Sequence, residues 1–513
     1  MSSLAGDGDQ ILGKRICEQR GWDFAEVFKY HFAISRQSRQ LCKEWTHKSF
    51  GSWHLEHCPA LRRCEIVSSK GTKLGIVLGV AVDRNGRLLS GDVVLDQADT
   101  IEALQNYIEG LAGRYIVVVH GFGVERIYFD PSGGLSAVYA PESNTVSSCT
   151  HLILDRDIEP NADISSDDVL SRKQQFLLGE TCDRHCKRVW ANHFLDLERM
   201  ELVRHWPRED DKFELETDVS QTVAEIGVRL HQIMTALIGA FHVALPLSGG
   251  TDSRILLSAC RGQLNKIEHY YIHDHKWVTE FDRLSAQKLA RKLGLPLQVF
   301  HKDAQDWNNL DKEALNELRD QMALQTSLSF NGIDDQTTQA VEHAPDCDLT
   351  LRGNMAEMTR ANKWQHDLLD AEIGALEGLE ALSGKTSDYM ETMWADGRFE
   401  KMLARYQSWI DTLPKPARSR IPDIAHVEVF GPAGPNNVYY AFKKSFYINP
   451  FNDRRLFYLT ASISPGTRKR RKQVARDIIR LGMPEIDGMP FAGYFRKLFR
   501  SAKEQGFNLL GEF

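Results

Sequence analysis

The sequence predicts a mixed α/β protein with two parts of different architecture: a layered, mostly antiparallel β-rich domain, then a domain built on a doubly wound parallel sheet. Two observations indicate this division. From about Cys64 to Thr150, short β-type runs are separated by turn residues. From Val243 onward, strand-like runs alternate with helical runs, which is typical of a parallel sheet covered by helices.

The sequence of the first part predicts both strands and helices. The predicted strands are Leu74–Val82, Tyr115–Val119, Arg126–Phe129 and Leu135–Tyr139. The predicted helical regions are Ile11–Arg20, Phe24 to about Lys48, and 167–235. Because the stretch near Trp206–Glu216 is acidic and poor in apolar residues, we expect a domain boundary there, with domains over 1–215 and 216–513.

The second part predicts a regular alternation of elements. The expected strands are Val243–Leu247, His269–His273 and Leu297–Phe300, and the expected helices between them are Arg254–Arg261 and Asp282–Leu293. Such a strand–helix–strand succession favours parallel pairing of the three strands.

Composition excludes several classes of protein. A length of 513 residues predicts roughly two to three domains. A net charge of −7 argues against a nucleic-acid partner. Nine scattered cysteines do not form a disulfide framework, and no run approaches the ~18 apolar residues that span a bilayer. The N-terminal residues carry no secretory signal, so we expect a cytoplasmic protein without membrane contact.

The sharpest chemical motif is Ser248-Gly249-Gly250-Thr251-Asp252-Ser253, between a predicted strand and a predicted helix. The two glycines allow successive N–H groups to converge on an anion, and the helix adds the positive end of its dipole. The serine hydroxyls supply further donors, and Asp252 can hold Mg²⁺ against the same phosphates. The plainer alternative is an ordinary glycine turn between strand and helix. Two other phosphate-binding motifs, G-x-x-x-x-G-K-[ST] and G-x-G-x-x-G after a strand, are absent from the sequence.

This motif resembles the pyrophosphate loop of the ATP pyrophosphatase superfamily, and further segments are similar to its asparagine synthetase-like amide ligases in the same order along the chain. These segments are Phe281-Asp282 through Leu295, Arg352-Gly353-Asn354-Met355-Ala356-Glu357, Asn449-Pro450-Phe451-Asn452-Asp453 and Lys472-Gln473-Val474-Ala475-Arg476. The resemblance covers roughly residues 220–490. It implies an ATP pyrophosphatase fold that activates a carboxylate as an acyl-adenylate, releases pyrophosphate and forms an amide.

The first part is similar to the amidotransferase domain of asparagine synthetases. The similarity lies in Leu111-Ala112-Gly113-Arg114-Tyr115, in Tyr128-Phe129-Asp130-Pro131-Ser132-Gly133 and in Val138-Tyr139. It implies an N-terminal nucleophile hydrolase-like fold, whose chemistry requires a cysteine at the mature N-terminus. Here the chain starts Met1-Ser2-Ser3, Cys17 lies in a predicted helix, and use of Cys64 requires proteolytic release. We therefore expect a domain without glutaminase activity.

The resemblance also implies a set of site residues. The residues implied to bind ATP are Leu247, Ser248, Gly249, Gly250, Asp252, Ser253 and Gly353. Asp252 and Glu357 match the family's two Mg²⁺ ligands, although Glu357 stands where the family has aspartate. Two residues are implied to be catalytic, Lys472 and Glu428. Lys472 matches a lysine that faces the reacting centre, and Glu428 matches a glutamate that assists amine deprotonation in lactam-forming relatives.

Two points qualify the catalytic pair. Lys472 falls on one helical stripe with Ala475 and Ile479, which predicts that it faces inward. The relatives pair their glutamate with a tyrosine at the position that matches Asn354, and asparagine cannot relay a proton in this way. The general base therefore stays open.

The expected function is that of a ligase using ATP and Mg²⁺, as in the branch with β-lactam synthetases and lasso-peptide cyclases. Its partner is then a small-molecule or peptide substrate with a carboxylate and an amine whose source is not glutamine, in natural-product or peptide biosynthesis. A homodimeric assembly is compatible with this function. Three alternatives stay open: an ammonia-dependent amidating synthetase, a non-catalytic nucleotide-binding protein, and a transferase acting on RNA bases, against which the acidic charge counts.

Overall fold

The chain is a mixed α/β protein with three β-sheets. The computed structural model describes residues 10–96, 99–163, 176–213, 218–274, 280–301, 312–327, 340–365, 368–369, 373–434 and 436–493. Within these ranges, no helix has both the length and the apolar character needed to cross a bilayer. All nine cysteines lie in these ranges as free thiols.

The described strands are β1 Phe32–Ser35, β2 Thr46–Phe50, β3 Trp53–His57, β4 Arg63–Ser68, β5 Lys73–Val82, β6 Asp92–Leu95, β7 Ala112–Val119, β8 Arg126–Phe129, β9 Val138–Ala140, β10 Thr145–Ser147, β11 Lys187–Arg188, β12 His193–Asp196, β13 Glu201–Arg204, β14 Val243–Pro246, β15 His269–Asp274, β16 Leu297–His301, β17 Leu349–Leu351 and β18 Phe446–Ile448. The described α-helices are α1 Leu12–Arg20, α2 Phe24–Val27, α3 Ile101–Glu109, α4 Val219–Ala240, α5 Thr251–Ala259, α6 Glu280–Leu293, α7 Lys312–Thr326, α8 Ala375–Ser383, α9 Ser387–Met393, α10 Arg398–Asp411, α11 Ile421–Ala425, α12 Gly431–Ala433, α13 Arg454–Ser462, α14 Pro465–Lys469 and α15 Gln473–Gly482.

Two sheets of the first part pack face to face. Sheet A has the order β11-β9-β10-β1-β3-β2 and is antiparallel throughout. Sheet B has the order β13-β12-β8-β7-β5-β4-β6 and is antiparallel except between β4 and β6. Ile34 of β1 and Ile76 of β5 belong to one buried apolar cluster between the sheets. The alternate residues face outward, where Val77 packs on α3 and Ala33 packs near α1 and α2. Helices therefore cover both outer faces.

The third sheet, sheet C, is parallel, as the second part of the sequence predicts. Its order is β16-β15-β14-β17-β18. The chain enters at the central strand β14, builds outward to β16, and then returns to add β17 and β18 on the other side of β14. The strand order thus reverses between β14 and β17, and open α/β sheets bind ligands at the carboxyl ends of the strands beside such a point.

Two helical predictions for the first part are wrong over much of their length. The segment from Phe24 to about Lys48 has only the short helix α2 and then forms strands β1 and the start of β2. In the predicted helix over 167–235, residues 187–204 contain β11 to β13, residues 164–175 and 214–217 lie outside the described residues, and α4 begins at Val219. Strand β1 is buried on both faces, so its continuous apolar run carries no period that separates strand from helix.

A buried polar junction joins the first two sheets to the chain after sheet C. The carboxylate of Asp130, in the turn after β8, accepts hydrogen bonds from the backbone N–H groups of Gly134 and Leu135 at 2.6 and 2.7 Å. It also accepts one from the side-chain amide of Asn452, at 2.6 Å. Arg454 donates to the carbonyl of Phe129 at 2.9 Å. The segments 128–133 and 449–453, far apart in sequence, therefore contact each other directly.

We expect Asp130→Ala to lower the free energy of unfolding by about 3 kcal/mol or more. The reason is that each buried donor left without an acceptor costs roughly 1–3 kcal/mol, and this change leaves at least three of them. Urea denaturation measures the effect. Asp92→Ala, at an exposed position of β6, is the matched control and should stay within about 0.5 kcal/mol of the wild type. Equal stability of Asp130→Ala and the wild type would show that the junction is dispensable.

Candidate functional site

The candidate site lies at the carboxyl ends of β14 and β17, where the strand order of sheet C reverses. The two strands are direct neighbours, with Val243 opposite Leu349. The segment 247–253 follows β14 and the segment 352–357 follows β17, so both motifs reach the same edge of the sheet. A cavity of about 450 Å³ opens between them, and Ser248, Asp252, Gly353 and Glu357 line it.

Hydrogen bonds of Ser248 and Ser253 fix the conformation of the loop after β14. The backbone N–H of Leu247 donates to the carbonyl of Tyr271 at 2.8 Å, which continues the β14–β15 ladder to the start of the loop. The hydroxyls of Ser248 and Ser253 lie 3.1 Å apart, and the Ser248 hydroxyl accepts from the N–H of Gly250 at 3.1 Å. Helix α5 begins at Thr251, three residues earlier than predicted, so Asp252 and Ser253 lie in its first turn. The first N–H groups of a helix have no intrahelical acceptor, so they can donate to an anion that binds at this end.

Two glycines allow close approach of neighbouring segments at the site. A side chain on Gly249 would place its Cβ 2.8 Å from the Cβ of Ser285 in α6. A side chain on Gly353 would place its Cβ 2.9 Å from the Cβ of Asp252 and 3.1 Å from the Asp252 carbonyl carbon. Only glycine therefore lets the segment after β17 pass this close to the first turn of α5.

The consequence of this approach is a pair of carboxylates, Asp252 and Glu357. Burial, together with the negative charge of Asp252, raises the pKa of the Glu357 carboxyl above its usual range. Burial raises the pKa of Asp252 as well, and the positive charges of Arg360 and Lys472 oppose this shift. One guanidinium nitrogen of Arg360 donates to both oxygens of Asp252, at 2.8 and 2.7 Å.

Glu357 keeps one oxygen without a partner. Its Oε2 atom is buried and makes no hydrogen bond to any described residue. The Nε2 atom of His426 lies 4.0 Å from this oxygen, and burial lowers the pKa of His426 to about 3, so the imidazole is neutral. Two mutually repelling carboxylates, one of them with an unused buried oxygen, fit a hard divalent cation that prefers oxygen ligands. The described residues hold no group of three or more His, Cys, Asp or Glu side chains that would form a larger metal cluster.

Lys472 reaches the same site from the start of α15. Its Nζ atom lies 3.3 Å from the hydroxyl of Thr251 in the first turn of α5. Burial and the neighbouring charge of Arg360 lower the pKa of Lys472, whereas Asp252 opposes this shift. The predicted position within the helix needs correction. Lys472 precedes α15 and has φ +56°, next to Arg471 with φ +49°, and this left-handed pair of residues turns the chain into the helix.

Glu428 lies apart from this cavity. Its carboxylate accepts two hydrogen bonds from Arg204, at 2.7 and 2.8 Å, and one from the indole of Trp409 at 3.0 Å. Glu428 is fully buried, and it is absent from the residues that line the 450 Å³ cavity. Arg204 instead lines a separate cavity of about 1310 Å³. The geometry therefore gives Glu428 a buried ion pair and no accessible oxygen with which to accept a proton from a substrate.

Sequence reasoning missed several residues of the site. No sequence pattern marks Arg360, because nothing in the spacing predicts that a residue at the end of the 356–360 turn reaches Asp252. Tyr439 places its hydroxyl 2.8 Å from Oδ1 of Asn354 and lines the cavity. Phe491 lies between Arg254 and Lys472, with its ring centroid 4.4 and 5.1 Å from their charged groups. The cluster of aromatic residues at 438–447 was the one available signal for Tyr439.

Comparison with known proteins adds no family assignment. No protein-family model matches the chain, and no curated protein is significantly similar to it in sequence.

We expect Gly353→Ala to destabilise the protein and to push the 352–357 segment away from Asp252. The added Cβ would lie within 3.1 Å of two Asp252 atoms, and overpacking of this kind costs roughly 1–3 kcal/mol. Gly227→Ala, in the middle of α4 with open space around it, is the matched control and should stabilise by up to ~1 kcal/mol. Thermal denaturation of the two variants should shift in opposite directions. A Gly353→Ala protein as stable as Gly227→Ala would contradict the close approach.

Glu357→Gln should become more stable relative to the wild type as the pH rises. A carboxyl whose pKa is raised in the folded state contributes stability below its unfolded pKa, and this contribution is lost as the pH increases through the folded pKa. Glutamine has no such loss. Melting temperatures measured at pH 5, 7 and 9 in a chelating buffer should therefore diverge between the two proteins toward pH 9. A constant difference across this range would mean that Glu357 ionises as it does in water.

Proposed function

We propose that this chain is an asparagine synthetase-like, ATP-dependent ligase that adenylates a substrate carboxylate, releases pyrophosphate and forms an amide bond. The observation that carries the proposal is the convergence of Asp252, Glu357 and Lys472 on the glycine-rich loop after β14, at the point where the strand order of a parallel sheet reverses. A glycine turn with no ligand would not need two opposed carboxylates and a half-buried lysine beside it.

The loop residues supply donors for phosphate oxygens. The N–H groups in the first turn of α5 have no intrahelical acceptor, and the hydroxyls of Ser248 and Ser253 lie beside them. Gly249 keeps the loop backbone close to α6, and both Gly249 and Gly250 leave the loop free of side chains that would occupy the anion position. Leu247 and Gly353 contribute to the cavity wall next to this loop.

Asp252 and Glu357 are the residues that would hold Mg²⁺. When bound, this ion neutralises phosphate charge and stabilises the charge that develops on the leaving pyrophosphate. The Asp252–Arg360 pair competes for the same carboxylate, so cation binding requires Arg360 to leave Asp252. A guanidinium released in this way remains beside the loop, where it can pair with a phosphate oxygen.

Lys472 is proposed to stabilise negative charge at the reacting acyl group. Its ammonium lies at the first turn of α5 and is partly withdrawn from water, and in such surroundings a fixed cation acts more strongly than in water. Glu428 has no role in this proposal, because Arg204 and Trp409 occupy its carboxylate. The general base is left unassigned.

We further propose that the attacking amine does not come from glutamine. The paired antiparallel sheets with outer helices are compatible with a nucleophile hydrolase-like domain, as the resemblance implies. However, Cys17 lies in the middle of α1, and burial raises the pKa of its thiol to about 12, so it is not ionised near neutral pH. Cys64 is buried within strand β4, where burial also raises its pKa. Neither thiol has the environment of an activated nucleophile.

A second candidate function is nucleotide binding without catalysis. The observation that favours it is the Asp252–Arg360 pair, because an arginine held on a metal-binding carboxylate is also what a retired site would show. The two functions differ in one result: a ligase exchanges labelled pyrophosphate into ATP in the presence of its acid, and a binding protein does not.

We expect Asp252→Ala to weaken binding of MgATP at least about tenfold, because it removes a charged ligand of the metal, and Lys472→Met to change it less than about threefold. Lys472→Met should instead lower ligase turnover by roughly 30- to 1000-fold once the acid is known. Calorimetry with MgATP measures the binding. Asp92→Ala is the control for loss of an exposed acid. Wild-type affinity in Asp252→Ala would overturn the assignment of the loop, and unchanged turnover in Lys472→Met would remove this lysine from the reaction.

A further inference from the structure

Arg352 is a cation in the wall of the candidate site, and no carboxylate of the described residues forms an ion pair with it, although the nearby charge of Glu357 acts on it. It is the first residue after β17, and its backbone N–H donates to the carbonyl of Ile448 at 2.8 Å. Its side chain makes no hydrogen bond and no ion pair with any residue of the described ranges. The side chain is only partly exposed, and it lines the 450 Å³ cavity. A partly buried guanidinium in this state gains strongly from an anion that enters the cavity.

The other cations of the site already have partners. Arg360 pairs with Asp252, and Lys472 contacts the hydroxyl of Thr251 in the first turn of α5. Arg254 donates to the carbonyls of Met489 and Pro490 at 2.7 and 2.8 Å. Among the described residues that line this cavity, Arg352 is the one lysine or arginine, and its guanidinium makes no hydrogen bond or ion pair to the protein.

Aromatic rings form the wall beside Arg352. Phe442 and Tyr447 have ring centroids 4.2 Å apart, and Tyr439 lies 5.5 Å from Tyr447. The guanidinium carbon of Arg352 lies 6.0 Å from the centroid of Tyr447. All three rings line the cavity. Rings in this arrangement pack on flat apolar ligands.

We propose that Arg352, with the rings of Tyr439, Phe442 and Tyr447, binds an aromatic carboxylic acid as the substrate of this site. Arg352 pairs with the carboxylate, and the rings pack on the apolar body of the acid. This inference rests on the proposed function, since the acid held by Arg352 is the one that the ligase activates. It adds a substrate class, which the loop and the carboxylate pair do not specify.

The test uses the full chain and a matched pair of probes, 3-phenylpropanoate and the neutral 3-phenylpropanamide. Calorimetry should show that the wild type binds the acid at least about tenfold more tightly than the amide, because only the acid carries the charge that Arg352 recognises. Arg352→Met should abolish this preference and leave the affinity for MgATP within about twofold. Arg352→Lys should keep part of the preference, and it also tests the charge if the methionine variant does not fold. Phe442→Ala should weaken acid and amide alike.

Arg455→Met is the control variant, because Arg455 is exposed and pairs with Glu225 on the surface, and it should behave as the wild type. A wild type that does not prefer the acid would overturn the proposal. So would an Arg352→Met protein that loses affinity for MgATP and keeps its preference for the acid, since Arg352 would then be a phosphate ligand. Failure of the proposed function has a different signature, because the wild type would then not exchange labelled pyrophosphate into ATP in the presence of the acid.

Discussion

The buried carboxylate of Asp130 is the contact on which the placement of the site depends. It closes the turn after β8 and, through Asn452, fixes the segment that follows β18. A parallel chain of hydrogen bonds runs from Ser132 through Asn436 and Asn449 to Tyr439. The antiparallel sheets therefore determine where one wall of the cavity lies, although none of their own strands lines it. This dependence gives the first part of the chain a structural role that requires no catalytic activity there.

The site itself is a balance of unfavourable charges. Gly353 lets two carboxylates approach, which raises the free energy of both ionised forms, and Arg360 offsets part of this cost by pairing with Asp252. Glu357 has no equivalent partner among the described residues, and its Oε2 atom stays unsatisfied. In the proposed function, a divalent cation bound between the two carboxylates would offset this repulsion.

The part of the site that depends on local sequence was predictable. The loop at Ser248–Ser253 has its glycines, hydroxyls and carboxylate within six residues, and the alternation of strands and helices around it predicts β14, β15 and β16 closely. Contacts between distant segments were not predictable, because neither period nor spacing records them. The resemblance implies that Glu428 assists amine deprotonation, whereas in the structure Arg204, 224 residues away, pairs with its carboxylate. Strand β1 is buried on both faces, so its sequence lacks the alternation of apolar and polar residues that would distinguish a strand from a helix.

A crystal structure with Mn²⁺ and the non-cleavable analogue α,β-methylene-ATP would show whether Asp252 and Glu357 bind a metal beside the nucleotide, since anomalous scattering locates the metal. The proposed function predicts a metal peak bonded to carboxylate oxygens of Asp252 and Glu357, with the triphosphate against residues 248–253. It also predicts that Arg360 has turned from Asp252 toward the phosphates. A nucleotide bound elsewhere, or an intact Asp252–Arg360 pair with no metal peak between the two carboxylates, would contradict it.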